Sequence, residues 1–207
     1  MSDDPVRSAH DDLAFLRKVV DQGGRAGVTG GSVFFAGGLL YGVQCLYHWA
    51  QLKGWADFPP LVNLVMAAGP TVLFLAFLTV VLVRDSRVAQ AGSQSRALQA
   101  MFSGVGLANL AMVAVFGINA ARHPEFPVWL FYPAVIFALQ GAAWFVVWRM
   151  RQRAWLGLVA LGWLAAAVAL GLSIDAIERY ILIAAGALFV LMALPGAVMM
   201  RLARETA

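Results

Sequence analysis

Charge is scarce in this sequence. Only 13% of its 207 residues are Asp, Glu, Lys or Arg, about half the share that covers an ordinary soluble domain, and so few charges cannot clothe a water-solvated surface. Cysteine is nearly missing as well: Cys45 stands alone, which excludes an intramolecular disulfide framework and a multi-cysteine zinc site. His48 is the only histidine inside a long apolar run, so haem ligation by paired histidines across a helix bundle has no second ligand. Cys45 and His48 lie one turn apart, but a zinc site needs three or four protein ligands. Only His123, Asp175 or Glu178, all outside the apolar runs, remain to complete one.

Chemistry-bearing patterns are also lacking. The chain has no Gly-x-Ser-x-Gly nucleophile elbow, no His-Glu-x-x-His helix and no carboxylate within its apolar runs for general acid/base work. That last absence also speaks against ion-driven transport, which usually needs an ionisable group or a broken helix near midplane. An enzyme is therefore not expected, and no cofactor is implied. The formal charge of +4 comes without a basic stripe carrying interleaved stacking aromatics, so nucleic acid is not an expected partner.

What is there is oil. Six apolar runs, 30–52, 60–83, 97–121, 127–148, 154–172 and 180–200, contain no charged side chain. Each is close to or above the roughly 20 residues that a helix needs to cross about 30 Å of hydrocarbon. Their apolar content is continuous and does not alternate with period two, which favours helices over a transmembrane barrel. The expected fold is an all-α bundle of six transmembrane helices with short loops, which make sequential neighbours antiparallel. The lipid bilayer is its first partner. The opening run follows a 29-residue tail with five aspartates and is 23 residues long, unlike a short signal peptide behind a basic start.

Arginine and lysine fall on alternate connections. Twelve of the fifteen lie in the N-terminal tail, the second and fourth loops and the C-terminal tail; only Lys53, Arg122 and Arg179 lie in the odd loops. Because such residues stay on the cytoplasmic side, both termini are expected in the cytoplasm. Arginine outnumbers lysine thirteen to two, a bias associated with GC-rich bacterial genomes, and the inner membrane is the expected location. Trp49, Trp55, Trp129, Tyr132 and Tyr180 are expected in the outer aromatic belt and Trp148 and Trp155 in the inner one, with Trp144 and Trp163 packed deeper.

The N-terminal tail carries its own pattern. Leu13, Leu16 and Val20, with Phe15 and Val19 beside them, form an apolar stripe opposite Asp11, Asp12, Arg17, Lys18 and Asp21. An amphipathic helix over about 11–22 is expected, ended by a hinge at Gly23, Gly24, Gly27, Gly30 and Gly31. Leu13, Phe15, Leu16 and Val20 could rest on the inner leaflet, pack beneath the bundle or dock a protein partner. An Ala/Gly-rich face on the later helices could likewise join a membrane subunit or a second copy.

Intramembrane polar residues supply the candidate binding set. Tyr41, Gln44, Cys45 and His48 follow i, i+3, i+4, i+7 spacing and share one helix face, and Asn63, Thr71, Asn109, Asn119 and Gln140 are their expected mates. The set reads either as hydrogen-bond glue between helices or as an outward-opening cavity for a mainly uncharged ligand, with Tyr41, Gln44, His48 and Asn119 on its walls. Gly38 and Gly42 form a small-xxx-small pair suited to close helix approach. Pro70 and Pro195-Gly196 are expected to kink their helices. Asp175 and Glu178 have capping-box spacing at the start of the sixth helix.

Overall fold

Apolar helices longer than a bilayer is thick dominate the molecule. The computed structural model describes residues 5–55, 58–86, 93–123 and 127–205, with the side chains of 5–27, 85–86 and 93–96 outside that description. Helix α1 spans Pro5–Leu52, α2 Pro60–Ser86, α3 Ser93–Arg122, α4 Phe131–Arg151 after a 3-10 turn at Val128–Leu130, and α5 Ala154–Gly171. The last element is one long rod made of α6 (Ile177–Ala187), a π-helical turn (Leu188–Ala193) and α7 (Leu194–Glu205). Six segments are long and apolar enough to cross a membrane, and no strand occurs among the described residues. The chain is an all-α, six-span membrane bundle. The spans start and end within about three residues of the apolar runs, except that the sixth continues to Glu205.

The six spans are not equally embedded. α1, α4, α5 and the α6–α7 rod form the packed body, with Trp144, Trp163, Leu170, Leu156 and Ala160 at its centre. α2 packs along α1 and α3 along α4, while α2 and α3 make no extended contact with each other. Accordingly, 6% of the α2 span and none of the α3 span is fully buried within the chain.

Glycine decides how α1 meets the sixth span. A Cβ on Gly31 would lie 2.7 Å from the Gly196 carbonyl oxygen, and one on Gly196 would lie 2.5 Å from the Phe35 nitrogen. A Cβ on Gly38 would collide with the Ala193 backbone, and one on Gly42 would lie 2.7 Å from the Phe189 ring. Backbone therefore touches backbone, as small-residue interfaces permit in a solvent without a hydrophobic drive. The expected Gly38/Gly42 approach is present, and Gly31 extends it by two turns.

The helix itself departs from expectation. The glycines thought to end the amphipathic segment do not interrupt the helix; α1 is continuous from Pro5 to Leu52. Glycine costs about 1 kcal/mol in a helix interior, but Gly31 recovers contact that no larger residue could make. The stretch before Val28 adds about 35 Å of helix at 1.5 Å per residue. The side chains of Leu13, Phe15, Leu16 and Val20 lie outside the described residues, so only their place on the helical backbone is established.

The two proline sites differ. Pro70 sits inside an uninterrupted α2, whereas Pro195 lies two residues past the π-helical turn. Proline lacks the N–H that would bond the carbonyl four residues earlier, and its ring crowds that carbonyl. The Leu191 carbonyl instead accepts a hydrogen bond from the indole N–H of Trp163 at 3.1 Å. Trp163 is 1% exposed and meets Phe137 edge-on, with ring centroids 4.7 Å apart.

Candidate functional site

The polar stripe of α1 divides among several neighbours. Gln44 Nε2 donates to the Ala67 carbonyl of α2 at 2.9 Å. One turn on, the Tyr47 hydroxyl and Gln51 Nε2 both donate to Asn63 Oδ1, at 2.6 and 2.8 Å. Asn63 Nδ2 in turn donates to the Phe58 carbonyl at 3.2 Å. His48 Nδ1 pairs with Gln51 Oε1 of its own helix at 3.1 Å. These bonds clamp the last three turns of α1 to the start of α2. Tyr47 and Gln51 were absent from the expected set, although Gln44, Tyr47, His48 and Gln51 themselves follow i, i+3, i+4, i+7 spacing. That second, rotated stripe was legible as a pattern, but only the position of α2 selects it.

Tyr41 sits deeper, against Phe74 of α2 with ring centroids 5.6 Å apart and with its hydroxyl toward Thr71. Across the seam, the Tyr132 hydroxyl donates to Asn109 Oδ1 at 2.7 Å, tying α4 to α3. Cys45 turns from this polar side into the apolar body, where it packs against the core near Tyr180. Tyr180 is 5% exposed and donates to the Leu130 carbonyl at 2.6 Å. It is a buried strut between α6 and the 3-10 turn that offers this acceptor.

Asn119 stands apart from the others. Its Nδ2 bonds the Val115 carbonyl of its own helix at 2.8 Å, on an exposed face of α3, so it walls no space shared with Gln44 or His48. The capping box is likewise not formed: Ala176 is the N-cap of α6 and no side chain caps it. Glu178 reaches Lys53 at 2.6 Å instead, joining the end of α1 to the start of α6. A shallow open depression of about 760 Å³ beside it is lined by Asp175, Glu178, Arg179 and Leu182, among others. Among the described residues, no three His, Cys, Asp or Glu side chains are grouped to hold a metal ion.

Gln140 occupies a different situation. Its Oε1 is shielded from solvent and has no hydrogen-bond partner, and the same holds for Trp144 Nε1 one turn further along α4. Trp144 lies among Phe34 of α1 and Phe102 of α3, with ring centroids 5.1 and 6.1 Å away, and Phe34 meets Phe102 at 5.1 Å. An orphaned buried donor or acceptor costs about 1–3 kcal/mol, and lipid tails cannot relieve it. Of the nine residues in the candidate set, then, Gln44, His48 and Asn63 are bonded at the α1–α2 end and Tyr41, Thr71 and Asn109 lie deeper. Cys45 joins the core, Asn119 faces away, and Gln140 alone of the set has a buried polar atom with no partner.

Comparison with known protein families, with curated proteins and with solved structures finds no match to this chain.

Proposed function

We propose that this chain is a non-enzymatic subunit of the bacterial inner membrane that binds or regulates a partner through the cytoplasmic extension of α1. One observation carries the proposal: α1 runs unbroken from Pro5 to Leu52, and its membrane half is the helix that presses glycine to backbone against the sixth span. A partner gripping the extension therefore pulls on the packed body and not on a slack tether. The arginine bias of alternate connections supports a cytoplasmic placement of the extension. Leu13, Leu16 and Val20, flanked by Phe15, supply apolar anchors at the i, i+3, i+7 spacing of a helix that docks in a groove.

A solute facilitator is the second possibility, and it draws less support. Gln44 and His48 are committed to bonds within and between helices, and Asn119 points elsewhere, so an outward-opening cavity lacks free walls. Solute flux into reconstituted vesicles separates the two. For the leading proposal, photo-reactive phenylalanine analogues at Leu13 and Leu16 should give a discrete cross-linked protein in intact cells, while the same groups at Lys18 and Asp21, on the opposite helix face, should not. Removing residues 1–22 should abolish co-purification of that partner with the chain still membrane-bound. Association that survives the truncation rejects this surface.

A further inference from the structure

The orphaned pair on α4 has a chemistry of its own. An indole N–H can only donate, and an amide oxygen can only accept. Trp144 Nε1 and Gln140 Oε1 lie one turn apart, each out of reach of water and each without a partner. We propose that the seam between α1, α3 and α4 binds the hydroxyl head of an uncharged amphiphile, which enters sideways from the bilayer as α3 moves off α4. A hydroxyl is the smallest group that accepts from the indole and donates to the amide oxygen at once. A charged head is disfavoured, because no charged side chain lies in any of the six apolar runs to compensate it.

The route in is set by how α3 is held. No part of its span is buried within the chain, and α2 does not pack along it. Gly104 and Gly106 have nothing within 4 Å of where a Cβ would stand. Near the pair α3 is held by Leu98, Met101 and Phe102, which pack against the core, the Phe102 ring covering Trp144 and Phe34; further along it is held by the Asn109–Tyr132 hydrogen bond. Lifting Phe102 uncovers the indole. The closed arrangement leaves two polar groups unsatisfied, and an entering hydroxyl satisfies both, so occupancy and opening favour each other. The tail of the amphiphile then lies along α3, in lipid.

Photo-labelling tests this in the full chain reconstituted into phosphatidylcholine nanodiscs. The probes are hexadecanol carrying a diazirine close to its hydroxyl and the matching hexadecane, with labelled peptides located by mass spectrometry. The alcohol should label the stretches around Phe102 and around Gln140–Trp144 about tenfold more than the hydrocarbon, the preference expected of two net hydrogen bonds. Gln140→Leu and Trp144→Phe should each reduce that preference to about threefold, the share of the one remaining hydrogen bond, the two together should reduce it to near unity, and Gly104→Ala, on the open side, should retain it. Removal of residues 1–22 should leave labelling unchanged, so this outcome is independent of the partner surface. Equal labelling by the two probes in the unaltered chain overturns the proposal whether or not the variants fold, and so does a preference that survives both substitutions.

Discussion

Trp163→Phe tests the most specific piece of chemistry in the fold. The substitution keeps an aromatic ring beside Phe137 but removes the N–H that bonds the Leu191 carbonyl at 3.1 Å. That carbonyl sits in the π-helical turn, where Pro195 cannot supply the usual backbone donor. Polar contacts between membrane helices contribute about 0.6 kcal/mol on average and up to about 1.7, whereas orphaning a buried carbonyl costs about 1–3 kcal/mol. A loss near 1–2 kcal/mol is therefore expected, together with some loss of packing from the smaller ring. A double-mutant cycle separates these. In a Pro195→Ala background the backbone regains an N–H for Leu191, so Trp163→Phe should cost only the packing part. The coupling between the two substitutions should be about 1 kcal/mol. The assay is reversible unfolding in mixed micelles, titrated with a denaturing detergent and followed by far-ultraviolet circular dichroism. If Trp163→Phe costs the same in both backgrounds to within about 0.3 kcal/mol, Trp163 does not replace the missing donor and the account of the π-helical turn fails.

The glycines should separate sharply by position. Gly38→Ala puts a methyl group into the Ala193 backbone, which cannot yield as a side chain can, and a loss of about 1–3 kcal/mol in the same assay is expected. Gly104→Ala meets open space and should be neutral or gain up to about 1 kcal/mol of helix propensity; similar costs at the two sites would refute the glycine crossing. The threading has its own check in a Cys45→Ser background. Phe58→Cys should react with an impermeant maleimide in intact cells, and Ala154→Cys only after permeabilisation. The reverse pattern would overturn the orientation drawn from arginine placement.

Some of this molecule was legible before its fold was known. Membrane insertion depends on transfer free energies that accumulate residue by residue along one helix, so 60–83 or 154–172 announces a span whatever lies beside it. The arginine alternation is legible for the same reason, since each connection meets lipid and water independently of the bundle. The Gly38/Gly42 approach also came through, because two small residues four apart face one way on any helix. The α1 extension came through in part: its helical pattern was visible, but the glycine run suggested a break that the backbone does not make.

The sequence by itself determined that the chain is a six-span membrane protein and which segments cross. Only the tertiary structure decided which polar atoms are spent and which are left over. Gln44 and Asn63 are consumed between α1 and α2, Tyr180 props a neighbouring turn, Trp163 serves a carbonyl that Pro195 left without its usual donor, and Gln140 and Trp144, one turn apart on α4, each keep a buried polar atom with no partner. The reason is physical: insertion into lipid is close to a property of each helix alone, whereas a hydrogen bond needs donor and acceptor within about 3 Å and well aligned. That alignment is set by how each helix is rotated against its neighbours, and small residues such as Gly31, Gly38 and Gly196 set the rotation.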